Sequence, residues 1–113
     1  MSADRWFDSF PAEIIVCNPE GIILDMNETA TAIYADDGGK ALIGRNVFSH
    51  HEEPVRSMVK QLVDTQKKSI YTTEKNGQKK LVTIAPWQQN QAYAGFVLFT
   101  IDLPEVISNI KKD

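Results

Sequence analysis

The sequence is poor in the residues that most often carry metal or redox chemistry. It has one cysteine, Cys17, and two histidines, His50 and His51, among 113 residues. One thiol cannot form a disulfide framework or a cysteine-type metal cluster. Neighbouring histidines on a helix point about 100° apart, so the two rings would not converge on one ion. We therefore predict no metal site.

Long apolar runs and an excess of positive charge are also missing. No stretch reaches the roughly 18 apolar residues that a membrane-spanning helix needs. The first five residues include an acid and do not resemble a signal peptide. The net charge is −3, from 12 basic and 15 acidic side chains, so many phosphates could not be neutralised. We expect a cytoplasmic protein whose partners include neither nucleic acid nor membrane.

The first third of the sequence predicts a β-hairpin followed by a helix. Residues 13–17 are a β-branched run, and Asn18-Pro19-Glu20-Gly21 has the residue order of a type I turn. Residues 22–26 return as the second strand. Asn27 follows, where its side chain can accept from free backbone N–H groups and begin a helix over residues 28–34.

The clearest helical pattern covers residues 54–66. Its apolar side chains recur at helical spacing and are Val55, Met58, Val59, Leu62 and Val63. This spacing predicts an amphipathic helix that faces a core. Three predicted strands follow, at residues 69–74, 80–87 and 93–102, with an Asn-Gly turn between the first two. The order favours an α+β fold, a five-stranded antiparallel sheet with helices packed on one face.

Four segments in this order resemble PAS domains. Residues 16–30 resemble the PAS opening hairpin and first helix, with Gly21 closing the turn and Asn27 beginning the helix. Residues 42–48 look like the segment before the long PAS helix. Asn76-Gly77 and residues 100–102 resemble a later turn and the end of the last strand. The resemblance implies a sensor or interaction module whose sheet and long helix can enclose a small molecule.

We divide the chain into an N-terminal flanking helix at residues 1–10, a PAS domain at 11–103 and a C-terminal helical tail at 104–113. The flanks carry apolar stripes, which are Trp6, Phe7, Phe10, Val106, Ile107 and Ile110. Helices this short are unstable alone, so they must dock on the sheet or on another subunit. The resemblance implies a homodimer built by these helices. Because no output unit follows, we expect signalling in trans to an unknown partner.

Five residues are our candidates for contact with a ligand or cofactor. They are Tyr34, His51, Met58, Tyr71 and Trp87. The aromatic side chains among them combine an apolar body with a polar tip, as pocket residues often do. Plain core packing is the alternative for each. The sequence names no cofactor. A haem held by His50 or His51 is an alternative that the resemblance suggests, although both precede the long helix or lie in its first turn.

Three functions compete at this point. The first is a sensory module that binds a small molecule between the long helix and the sheet and signals through its flanking helices. The second is a ligand-free homodimerising interaction module with a fully packed core. The third is a small α+β enzyme, which would need a buried acid or base. Asp25 is our one candidate for that carboxylate, and we expect no catalytic residues and no enzyme. Photochemistry through a cysteine–flavin bond is not expected, because the segment after Phe48 lacks the Asn-Cys-Arg motif.

Overall fold

A five-stranded antiparallel sheet with helices on one face organises the chain, and the computed structural model describes residues 6–113. The strands are β1 (Glu13–Cys17), β2 (Ile23–Met26), β3 (Ser69–Lys75), β4 (Gln78–Gln89) and β5 (Ala92–Asp102). The helices are α1 (Trp6–Ser9), α2 (Glu28–Ile33) and α3 (Val55–Asp64). The strand order is β2-β1-β5-β4-β3, so the last strand lies at the centre beside the first. The predicted fold class is confirmed.

Two turns form where asparagine and glycine predict them. The Asn18 side chain accepts from the backbone N–H groups of Glu20 (3.0 Å) and Ile22 (2.9 Å), which closes the turn between β1 and β2. Between β3 and β4, Asn76 and Gly77 have φ angles of 53° and 80°. Positive φ at both central positions matches the twist of a tight hairpin.

The buried Asn27 side chain starts α2 and joins it to β1. Its Oδ1 accepts from the backbone N–H groups of Ala30 and Ile14, each at 3.0 Å. Its Nδ2 donates to the carbonyl oxygens of Ala12 (2.8 Å) and Phe10 (3.5 Å). The predicted N-cap is therefore present, and the same amide also holds the segment that precedes β1.

Only part of the predicted inward face of α3 is buried. Val59 and Val63 are buried and Leu62 packs partly against the core, whereas Val55 and Met58 are 46% and 60% exposed. The prediction that Val55 and Met58 face the core is wrong. Because α3 packs against the short turn Val47–His50, only a narrow stripe of its surface is covered.

The two flanks differ in structure. Helix α1 covers four residues of the predicted N-terminal helix, whose first five residues lie outside the described part of the chain. Residues 103–113 contain neither helix nor strand, so the prediction of a helical tail is wrong. Val106, Ile107 and Ile110 are 64–83% exposed, and a short helix without a packing surface is not stable. Across residues 6–113, none of the helices is both long and apolar enough to cross a membrane.

Candidate ligand-binding site

Two adjoining cavities lie on the inner face of the sheet, the face that α2 and residues 42–51 cover. The larger has a volume of about 160 Å³ and the smaller about 80 Å³. Four residues line both cavities, and these are Ile15, Tyr34, His51 and Leu98. The shared residues make the two spaces parts of one site, which we call the inner cavity.

Strand pairing places a row of side chains across the floor of the larger cavity. Glu13 on β1 pairs with Thr100 on β5, which pairs with Val82 on β4, which pairs with Tyr71 on β3. Directly paired residues point to the same face of an antiparallel sheet. Four strands thus each contribute one side chain to the cavity, and three of the four side chains are polar.

An ion pair between a buried carboxylate and a partly buried ammonium crosses this floor. Glu13 is 6% exposed, and its Oε2 lies 2.7 Å from the Nζ of Lys80 on β4. The Nζ also lies 3.8 Å from the Asp102 carboxylate at the exposed end of β5. Removing one partner would leave a buried charge uncompensated, which is strongly destabilising. The pair therefore fixes the distance between β1 and β4 across the central strand.

Tyr34 adds a hydrogen-bond donor to the same cluster. It follows α2 directly, where it forms the C-cap, and its side chain lines the larger cavity together with Glu13. Burial, and then the negative charge of Glu13, raise the pKa of Tyr34 to about 12. The phenol is thus protonated at neutral pH and can donate a hydrogen bond in the cavity. Burial also raises the pKa of Tyr71, so both phenols face the cavity as donors.

His51 closes the cavity from the side of the segment that precedes α3. Burial, followed by the positive charges of His50 and Arg56, lowers the pKa of His51. The neutral ring is favoured by these surroundings. A neutral imidazole offers one donor and one acceptor, so it contributes polarity without charge.

Comparison with solved structures decides the fold. No family model and no curated protein matches the sequence. The PAS domain of a protein from Colwellia psychrerythraea is 22% identical, with a TM-score of 0.64 over 87% of this chain and 91% of that one. A sensory box sensor histidine kinase from Vibrio cholerae is 15% identical, with a TM-score of 0.67 over 87% and 86%. A dual PAS-haem oxygen sensor from Vibrio cholerae is 18% identical, with a TM-score of 0.60 over 82% and 95%.

This chain folds as a PAS domain. The predicted resemblance is confirmed, and it rests on the arrangement of the elements because the identities are low. The inner cavity lies between the sheet of this PAS fold and the helical segments that cover it. Similarity at 15–22% identity establishes the fold. Any inference about a ligand must rest on the chemistry of the cavity.

Three of the five predicted contact residues line the inner cavity. Tyr34, His51 and Tyr71 are brought together around the larger space. Met58 is not there, because it lies on the exposed side of α3. Replacing Met58 by tryptophan would place the larger side chain in solvent. This substitution therefore cannot fill the cavity.

Trp87 is also placed elsewhere. The alternation along β4 that points Lys80 and Val82 into the cavity points Trp87 to the opposite face of the sheet. Its Nε1 donates to the backbone carbonyl oxygen of Cys17 at 3.0 Å. Trp87 pairs with Gly95 on β5, so this bond connects β4 to β1 across the central strand. The prediction that Trp87 faces the cavity is wrong.

Cys17 is buried in the core of the PAS fold. Burial raises the pKa of Cys17 to about 12. Because the thiolate is the reactive form, this thiol is a poor nucleophile at neutral pH.

The sequence reading missed the two charged residues at the centre of the site. It named Asp25 as the carboxylate within an apolar strand, but Glu13 is the one that is buried in the PAS core. A signal for Glu13 was available, because it stands two positions before the buried Ile15 and therefore on the same strand face. Its pairing with Lys80 had no local signal, since 67 positions separate the two residues.

The inner cavity does not fit haem or flavin in this arrangement. Cofactor sites usually have volumes of about 300–1,000 Å³, whereas the two spaces measure about 160 and 80 Å³. Within residues 6–113, no three histidine, cysteine, aspartate or glutamate side chains are grouped so that they could hold a metal ion. The cavity is thus too small for haem, and His51 contributes a neutral polar group to its wall.

Proposed function

We propose that this PAS domain is a sensory and signalling module that binds a small molecule in the inner cavity. The observation that carries the proposal is the convergence of Glu13, Thr100 and Tyr71, with Lys80 and Tyr34, in a cavity whose apolar walls are Ile15, Val82 and Leu98. Binding sites are commonly apolar cavities with a few converging polar groups. A core built only for stability gains little from a buried ion pair, because apolar residues of similar volume often do as well.

A route from the cavity to the N-terminal flank supports the signalling part of the proposal. Glu13 begins β1 and Tyr34 ends α2, so a ligand that contacts them acts on both elements. Asn27 hydrogen-bonds to β1, α2 and the carbonyl of Phe10. A ligand that favours one arrangement of Glu13 and Tyr34 would therefore change the populations of states at the flank. A partner that reads this flank would receive the signal in trans.

We propose further that the module forms a homodimer through its terminal segments. Trp6, Val106, Ile107 and Ile110 are each at least 64% exposed. Several exposed apolar side chains at the two flanks are typical of an interaction surface. Light scattering coupled to size exclusion should give a dimer mass for the full chain. The Ile107→Asp/Ile110→Asp double variant should give a monomer, and a dimer for this variant would move the interface away from the tail.

The ligand-binding proposal is best tested with a pair of adjacent threonines on β3. Thr73 lines the larger cavity, and Thr72 points to the opposite face of the same edge strand. Thr73→Phe should fill the entrance, whereas Thr72→Phe adds the same bulk without touching the cavity. Each protein would be incubated with the small-molecule fraction of a cell extract and examined by native mass spectrometry, with an absorption spectrum of the same sample.

The expected result is a mass increase for the wild-type chain and for Thr72→Phe that disappears on denaturation. Thr73→Phe should show at least a tenfold lower bound fraction. A bare mass for all three proteins would overturn the ligand-binding proposal and favour a ligand-free interaction module. Equal binding by both variants would overturn the placement of the ligand.

A further inference from the structure

We infer that the ligand of the inner cavity is a small zwitterion with an aliphatic side chain, the chemical class of the free aliphatic amino acids. This inference rests on the proposed function and specifies it. Its basis is the joint presence of a buried carboxylate, a partly buried ammonium and an apolar space beside them. Each of these three features restricts a different part of the ligand.

The charges of the site restrict the charged end of the ligand, which we call its head. Glu13 and Lys80 lie 2.7 Å apart and neutralise each other inside the larger cavity. The Asp102 carboxylate, 3.8 Å from Lys80, is 73% exposed, so water and salt screen its charge. A ligand with a single charge would leave one charge uncompensated in a buried site. A zwitterion avoids this, because its ammonium can approach Glu13 while its carboxylate approaches Lys80.

The hydrogen-bonding capacity of the pair suits such a head. A carboxylate accepts about four hydrogen bonds and an ammonium donates three. Lys80 uses part of the hydrogen-bonding capacity of Glu13, and Lys80 itself has donors beyond the one directed at Glu13. The phenol of Tyr71 and the hydroxyl of Thr100 line the same space and can complete the contacts of a ligand carboxylate.

The smaller cavity restricts the tail of the ligand. Beyond the residues that it shares with the larger space, its lining consists of Ile23, Leu42 and Val47, with His50 as the one polar side chain. These apolar walls favour a branched hydrocarbon group over a polar one. A dry cavity of about 150 Å³ is known to hold a six-carbon ring, so these two spaces suit a ligand of about six to nine non-hydrogen atoms. Valine and leucine have this size.

Isothermal titration calorimetry of the full chain with L-valine and L-leucine tests the inference. The comparison ligands are N-acetyl-L-valine, which lacks the ammonium, and L-valinamide, which lacks the carboxylate. We expect valine or leucine to bind and both derivatives to bind at least tenfold more weakly. The Glu13→Gln/Lys80→Met double variant keeps the site neutral and should lose at least tenfold in affinity, while Met58→Ala should bind as the wild type does. Circular dichroism checks that both variants are folded.

Two results would overturn the inference. One is equal binding of valine and a singly charged derivative by the wild-type chain, which does not depend on any variant. The other is the absence of binding by both amino acids. If native mass spectrometry then reveals another bound molecule, the zwitterion is wrong and the proposed function stands. If the protein remains bare with the cell extract as well, both proposals fail.

Discussion

The two flanks of the domain begin from similar sequence patterns and reach different structures. Each carries apolar residues at helical spacing and each is too short for a stable isolated helix. On the N-terminal side, the Phe10 carbonyl accepts from the Thr29 hydroxyl at 2.7 Å, and the Phe10 ring lies 6.0 Å from that of Phe99. On the C-terminal side, Val106 and Ile110 are more than 80% exposed and no helix forms over residues 103–113.

The difference shows that an apolar stripe is necessary for a flanking helix but does not form one alone. The N-terminal segment is held by polar groups of α2, chiefly Asn27, at a place where the sheet offers an aromatic ring. Ordering each residue costs about 1–2 kcal/mol of backbone entropy, which only such contacts can offset. The tail begins at Pro104, beyond the last strand, and its apolar side chains face solvent.

The largest expected effect comes from removing the anchor of the N-terminal flank. Asn27→Ala should lower the free energy of unfolding by about 3 kcal/mol, because buried backbone groups of Ile14, Ala12 and Ala30 lose their partner. Urea denaturation measures this. Asn46→Ala, which removes the cap of the turn at residues 47–50 and one exposed bond to the Glu20 carbonyl, is the matched control and should cost about 1 kcal/mol. Equal losses would mean that Asn27 acts only as a cap.

The aromatic contact should give the next largest effect. Phe10→Ala removes a half-exposed ring from Phe99 and should cost about 1.5 kcal/mol. Ile110→Ala in the tail should change the free energy of unfolding by less than about 0.5 kcal/mol. Both changes in the free energy of unfolding can be measured by urea denaturation at low protein concentration. If the two substitutions cost the same, the flanks do not differ in their attachment.

Removing one hydroxyl should loosen the N-terminal flank more selectively. Thr29→Val keeps the size of the side chain but deletes its hydrogen bond to the Phe10 carbonyl, at a cost of about 1 kcal/mol. Amide hydrogen exchange of residues 6–10 should become faster. In Thr31→Val the lost bond lies within α2, to the Asn27 carbonyl, so exchange at residues 6–10 should remain unchanged. Faster exchange in both variants would argue for a general loosening of α2.

Deleting residues 104–113 should have the smallest effect on the folded monomer. We expect a change of less than about 0.5 kcal/mol in the free energy of unfolding, because exposed segments contribute little. The free energy of unfolding should be measured at a concentration at which the protein is monomeric, because association adds apparent stability. A loss of 2 kcal/mol or more would show that the tail is attached, contrary to the comparison of the two flanks.

The elements of the fold were predictable wherever local chemistry specifies them. Asn18 and Gly21 identify the first turn, Asn27 the start of α2, and Asn76 with Gly77 the hairpin between β3 and β4. Each acts through hydrogen bonds or backbone angles within a few positions of itself. These signals, taken in order, were enough to predict the fold class.

The candidate site was predictable only in part. Tyr34, His51 and Tyr71 do line the inner cavity, and their contact with a ligand stays a prediction. The two tyrosines were chosen because aromatic residues with polar tips are typical of pockets. Met58 was misplaced because helical spacing shows only that a residue lies on the apolar side of a helix. It does not show how much of that side other elements cover. Trp87 was misplaced because the pattern of β4 does not say which of its two faces carries the cavity.

The sequence by itself determined the order and type of the strands and of α2 and α3, the turns between strands, and the cap of α2. These features depend on residues close together in the chain. The tertiary structure alone decided which flanking apolar stripe packs against the domain. It also decided which charged side chains form an ion pair. Glu13 and Lys80 come together across β5 because the sheet order places three distant segments side by side. Long-range pairing of this kind has no local signal, and the chemistry of the cavity depends on it.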